Sequence, residues 1–121
     1  MSFRFLDFPI YKETKRYIKE IYSLSVKFPK DEQFGVTNQL RRAATSIALN
    51  LAEGSDRGSD KEFQRFIQMS IGSLNETVAI LNICFDNGFI IKSEYDIMLT
   101  RAENMVKQLS GLKRSLGSNR S

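Results

Sequence analysis

The 121-residue chain has no histidine and no tryptophan, one cysteine and two prolines. Each scarcity removes a class of chemistry. Without histidine there is no His general base, no Ser-His dyad and no His-ligated zinc. Cys84 alone closes neither an intramolecular disulfide nor a thiolate metal site. It lies in an apolar helical run and reads as a small core residue. A chain without disulfides fits a reducing, cytoplasmic setting. No run approaches the roughly 18 apolar residues of a membrane span, so no membrane partner is expected. The start, "MSFRFLDFPI", carries an early acid and a proline where a secretory leader has a basic start and a long apolar stretch.

What is present is ordinary for one soluble globular domain: 41% hydrophobic and 26% charged residues, enough to bury one core. The formal net charge is +4, and its placement matters more than its size. Residues 1–30 carry seven Lys or Arg against three acids, residues 91–121 six against three, and the 60 residues between them five against eight. The basic excess on the first and last segments points mildly to a polyanionic partner.

Apolar residues recur at helical spacing almost throughout. The breaks "FPKDEQFG", "EGSDRGSD", "DNGF" and the tail divide the chain into four segments. The first helix is expected over about 8–28, with Pro9 at its first position and Pro29 as its stop. Ile10, Tyr17, Ile18, Ile21, Ser25 and Phe28 share one arc of it, and Lys12, Lys15, Arg16, Lys19 and Lys27 the opposite arc. The second is expected over about 37–53, capped by Thr37 or Asn38 and stopped by Gly54. Its stripe of Leu40, Ala43, Ala44, Ile47, Ala48 and Leu51 is rich in small residues that allow close helix contact. The third is expected over about 60–86, with Ser59 and Glu62 as a capping box. Phe63, Phe66, Ile67, Ser70, Ile71, Leu74, Val78, Leu81, Cys84 and Phe85 line one face, and Asn87-Gly88 ends it. The fourth is expected over about 93–116, with "SEYD" as a second capping sequence and "GSNRS" as a frayed end. Four amphipathic helices with short connections predict an all-α, antiparallel up-down four-helix bundle in a single domain spanning 1–121. Met69, Ile80 and Ile83 lie off the main stripe of the third helix, and Leu49 opposite that of the second. They predict a second contact surface, hence self-association.

The densest polar stretch is "LNLAEGSDRGSDKEFQRF", Leu49 to Phe66. Its carboxylates do not have the spacing of an EF-hand loop, and no strand precedes its two glycines, so the phosphate-loop and dinucleotide readings fail. Nothing there pairs a nucleophile with a base. The chain therefore reads as no enzyme, and as holding no cofactor and no metal. Arg42, Ser46, Asn50 and Glu53 form one ridge beside the alanine stripe. An Asn and a Glu near a helix C-terminus oppose the dipole and call for a partner such as Arg42, Arg57, Lys61 or a loop N–H. Asn50, Glu53 and Gly54 are read as the structural corner between the second and third helices.

The run "FPKDEQFGVTNQLRRAATSIALNLAEGSDRGSDKEFQRFIQMSIGSLNE", residues 28–76, resembles the signature of the bacterial four-helix-bundle family associated with intervening sequences of 23S rRNA genes, once labelled S23 ribosomal protein. That signature reads approximately FP..E.FGLT.QLRRAA.SI..NIAEG..R.S..EF..FL..A.GSL.E. Gln39, Arg41, Arg42, Ser46, Asn50, Glu53, Gly54, Arg57, Glu62, Phe63, Gly72, Ser73 and Glu76 match it. Ala48-Leu49 and Ser70-Ile71 depart from it, the second removing a basic residue from the third helix. The resemblance implies a ring-like homopentamer. A similar bundle, the accessory variability protein of diversity-generating retroelements, is implied to bind nucleic acid and a reverse transcriptase through a basic pentameric surface.

Two functions follow as expectations. One is nucleic-acid binding, RNA foremost, through Lys12, Lys15, Arg16, Lys19, Arg41, Arg42, Arg57 and Lys61. No recognition motif or base-stacking signature is visible, so charge and shape would carry it. The other is an oligomeric scaffold for a partner protein. Basic residues gathered on one surface of the assembled oligomer favour the first. Basic residues interleaved with Glu13, Glu20, Glu94 and Glu103 favour the second.

Overall fold

The structure, a computed structural model, describes residues 3–118. A short 3-10 turn, Arg4–Asp7, leads into α1 (Pro9–Ser25). Then follow α2 (Asn38–Ser55), α3 (Asp60–Asp86) and α4 (Lys92–Ser118). Pro9 occupies the first turn of α1, where its missing N–H costs nothing. Ser59 Oγ accepts from Glu62 N at 3.1 Å, capping α3. Residues 119–121 of the expected frayed tail lie outside the described residues.

The helices form the up-down bundle that the periodicity predicts, and cross-links fix its direction. Tyr17 Oη donates to Met98 O (3.1 Å) and Lys27 Nζ pairs with Glu94 (3.0 Å), so α1 and α4 run antiparallel. Ser70 Oγ donates to Ile47 O (2.8 Å) while Phe66 lies against Gly54, and Gln64 Nε2 donates to Lys113 O (2.9 Å) while Asn82 Nδ2 donates to Tyr95 Oη (3.0 Å), so α3 runs against both neighbours. The core takes Ile10, Tyr17 and Ile21 from α1, the whole small-residue stripe of α2, Phe63, Ile67, Leu74, Leu81 and Cys84 from α3, and Met98, Ala102, Met105 and Leu109 from α4. Burial pushes the Tyr17 phenol well above its ordinary value and the Cys84 thiol up to about 11. Cys84 is thus an inert core residue.

Three local expectations are corrected and one is sharpened. Gly54 does not stop α2, which runs to Ser55. A Cβ at Gly54 would stand 2.4 Å from Phe66 Cβ, so the glycine is there to let α3 approach. Thr37 does not cap α2. A wide π turn, Gln33–Thr37, feeds into the helix, and Glu32 accepts from Val36 N instead, leaving Thr37 Oγ1 buried without a partner. In the expected capping sequence "SEYD" it is Glu94, the third residue of α4, that acts: its carboxylate reaches back to accept from Ile91 N at 3.1 Å. Ile80, read as an interface residue, is only 4% exposed within the single chain. Because α3 packs between α2 and α4, its buried arc is wider than one stripe and takes in Thr77 and Ile80.

Candidate nucleic-acid interface

Seventeen residues of α1, Pro9–Ser25, carry two charge regimes. At 3.6 residues per turn, Lys12, Lys15, Arg16 and Lys19 fall on the arc opposite Ile10, Tyr17 and Ile21. The four basic residues line one shallow depression and are all exposed. Lys12, Lys15 and Lys19 make no ion pair among the described residues. Glu13 lies on the α4 side, where it binds Arg16 (3.0 Å) and Arg101 (3.3 Å). Glu20, seven residues on, falls on that same side. Glu94 is drawn to Lys27 at the end of the bundle. The acids therefore edge the basic arc along one seam and do not interrupt it.

Toward α2 the basic arc runs on through Tyr22. Arg41 lays its guanidinium 4.6 Å from the centre of the Tyr22 ring and donates from Nε to Ser25 Oγ at 2.8 Å. Its other nitrogens take no acceptor among the described residues. Arg42 is exposed and makes no ion pair there. Tyr22, Arg41, Arg42, Thr45 and Leu49 line one furrow between α1 and α2.

The α2–α3 corner is built differently from its sequence reading. Asn50 Nδ2 bonds Ser46 O (3.0 Å) within its own helix. Glu53 pairs with Arg57 at 3.1 Å, both side chains being largely exposed, which is worth less than about 1 kcal/mol. Arg57 and Arg65 each place a guanidinium 4.7 Å from the Phe66 ring, and Arg65 holds Glu62 through two nitrogens. That contact draws the Glu62 carboxyl below its usual range. Lys61 is exposed on the first turn of α3. The residue that clamps this corner is Arg4, which the sequence reading passed over. It donates from Nε and Nη2 to Ser55 O at 3.1 and 2.7 Å and lies over Phe63. No local pattern announces it, because its partner is 51 residues away.

Leu49, Met69 and Ile83 remain exposed, at 62%, 43% and 53%. Gly72 and Ala79 share the outward arc of α3 with Met69 and Ile83 and are exposed too. The sequence reading also missed Val26, Phe34 and Ile91 at the far end of the bundle, exposed at 73%, 90% and 64%. Phe34 is the most exposed of them because it rides the wide turn before α2.

The shifted groups move away from neutrality: Glu62 and Glu94 downward, Cys84 and Tyr17 upward. Among the described residues no cluster of three His, Cys, Asp or Glu side chains stands ready for a metal, and no helix is long and apolar enough to cross a membrane.

The family model for the 23S rRNA-intervening sequence protein matches residues 7–111. No curated protein matches the chain. Among solved structures, the fold is similar to that of a protein of unknown function from the S23 ribosomal protein family of Bacteroides thetaiotaomicron, at 19% identity and a TM-score of 0.78, over 86% of this chain and 97% of that one. Identity that low speaks for the fold alone.

Proposed function

From the premise that the chain belongs to the 23S rRNA-intervening sequence protein family, we propose that it is a non-enzymatic, self-associating bundle that binds RNA through phosphate contacts, without sequence readout. The observation that carries this reading is the outward arc of α1: Lys12, Lys15 and Lys19 stand free of carboxylates, and the acids are confined to the α4 seam. Lysines held on a rigid helix without carboxylate partners are ready to displace counterions from a phosphate backbone, Lys15 resting meanwhile 5.4 Å from the Tyr11 ring centre. Arg41 and Arg42 extend the same surface onto α2.

One protomer offers few phosphate contacts. Self-association, as a ring-like pentamer in this reading, would repeat the surface and raise its effective concentration along one polyanion. Met69, Gly72, Ala79 and Ile83 on the exposed arc of α3, with Glu76 among them, offer small and apolar side chains to a second copy. The site of action is cytoplasmic in this reading.

A second reading, a scaffold for a partner protein, draws on Val26, Phe34 and Ile91, which leave an apolar end uncovered.

The test is size-exclusion chromatography with light scattering, with and without a structured RNA, at low and moderate salt. The expected result is an oligomer that shifts with RNA and releases it as salt rises. Changing Lys12, Lys15, Arg16 and Lys19 together to Gln should leave the fold intact and flatten the log–log salt slope by roughly three. An oligomer indifferent to RNA would move the assignment to the scaffold. An unchanged affinity and slope in the quadruple variant would remove α1 from the interface.

A further inference from the structure

The furrow between the end of α1 and the start of α2 has a property that charge alone does not require. Tyr22 is 45% exposed, although an aromatic ring gains by burial. It is kept at the surface by Arg41, whose guanidinium lies on it at 4.6 Å and is anchored through Nε to Ser25 Oγ. The anchoring leaves the remaining Arg41 nitrogens without a protein acceptor and holds them beside the ring. Arg42, the next residue, is exposed and free of carboxylates. Thr45 and Leu49 follow Arg41 at four-residue steps along α2, and Asn38 and Ser46 complete the lining, so the floor mixes polar and apolar groups. The furrow measures about 470 Å³. At its α1 edge, Lys15 and Lys19 precede Tyr22 at helical spacing, so the furrow opens onto the lysine arc.

Each part matches a part of one nucleotide. A preorganised guanidinium and its exposed neighbour suit a phosphate, and the exposed part of the Tyr22 ring suits the face of a base. A duplex hides its base faces in the stack, whereas a single strand presents them. We propose that this furrow is a subsite for one nucleotide of a single-stranded polynucleotide, with the phosphate on Arg41 and Arg42 and the base stacked on Tyr22. The inference rests on the phosphate-binding reading above and adds to it a preference for unpaired strands. The chain then runs from the furrow onto Lys19 and Lys15, and the subsite adds preference for unpaired bases without adding sequence readout, because every base has a face to stack.

The test uses the full chain and fluorescence anisotropy with three probes of equal length: an oligouridylate, an abasic strand and an RNA duplex. Tyr22→Leu keeps an apolar side chain and removes the ring. It should weaken oligouridylate binding roughly tenfold and leave the abasic strand and the duplex as they were. Tyr22→Phe keeps the ring and should bind as the parent does. Arg42→Gln should weaken all three probes alike. If Tyr22→Leu holds the oligouridylate unchanged while the quadruple lysine variant loses it, the subsite is wrong and the phosphate-binding reading stands. If Tyr22→Leu instead changes the particle mass in light scattering, the furrow is a contact between copies and the proposal fails. A parent chain that retains none of the probes overturns both readings.

Discussion

Gly54 and Gly88, at opposite ends of the bundle, serve opposite purposes, although Gly58 in the α2–α3 loop shares the left-handed backbone of Gly88 at φ +82°. At the end holding the α2–α3 corner, Gly54 lies inside a helix, and what matters is the space its missing Cβ leaves for Phe66. At the other end Gly88 has φ +75°, and a Cβ there would meet nothing within 4 Å. What matters at Gly88 is backbone freedom. Its N–H bonds Phe85 O and the Phe89 N–H bonds Cys84 O, the paired closure that ends a helix in a left-handed residue. Phe89 then packs on Phe28, 5.7 Å between ring centres. The first end is closed from outside by Arg4 on Ser55 O. The second end closes itself locally and leaves Phe34, Val26 and Ile91 in solvent. A closed corner carries the fold; an end that closes with local bonds is free to present apolar surface.

Three substitutions test this contrast, in falling order of effect. Gly54→Ala forces α2 and α3 apart, because the obstacle is the Cβ of Phe66 and not the tip of a flexible side chain. The expected loss is about 2–3 kcal/mol in chemical denaturation. A loss below about 0.5 kcal/mol would show that the helices approach less closely. Gly88→Ala should cost about 1–2 kcal/mol from the left-handed backbone alone. Gly88→Asn should recover part of it, since Asn tolerates that region. Equal losses for Ala and Asn would point to crowding and collapse the distinction between the two ends.

The smallest effect concerns Glu94. The Ile91 N–H, and then Lys27, hold its carboxyl below the usual range. A depressed folded value means the contribution is fully present above the unfolded value of about 4.3 and is lost as pH falls through the folded one. Glu94→Gln should therefore melt slightly below the parent at neutral pH, with the gap closing as pH drops below about 4. A gap that stays constant with pH would mean that the charge contributes nothing.

The basic arc of the candidate site was legible because its residues sit on a regular helix. Lys12, Lys15, Arg16 and Lys19 follow from the same periodicity that identifies the core, and the α3 cap at Ser59 follows from its local motif. Tyr22 was missed because period alone does not say that an aromatic on the flank of α1 is held outward by Arg41 from another helix. Arg4 escaped for the same reason across a longer separation. Ile80 was misplaced because an arc that is outward on an isolated helix becomes inward when neighbours cover both flanks.

The sequence by itself determined the number of helices, their main inward stripes and the direction each takes in an up-down bundle. These depend on spacing along one helix, where neighbours three and four residues apart are fixed by the backbone. Only the tertiary structure decided whether Gly54 ends a helix or admits one, which arginine clamps the corner, and which apolar residues remain in water. Those outcomes depend on distances between helices, set by the side chains of all four packing at once.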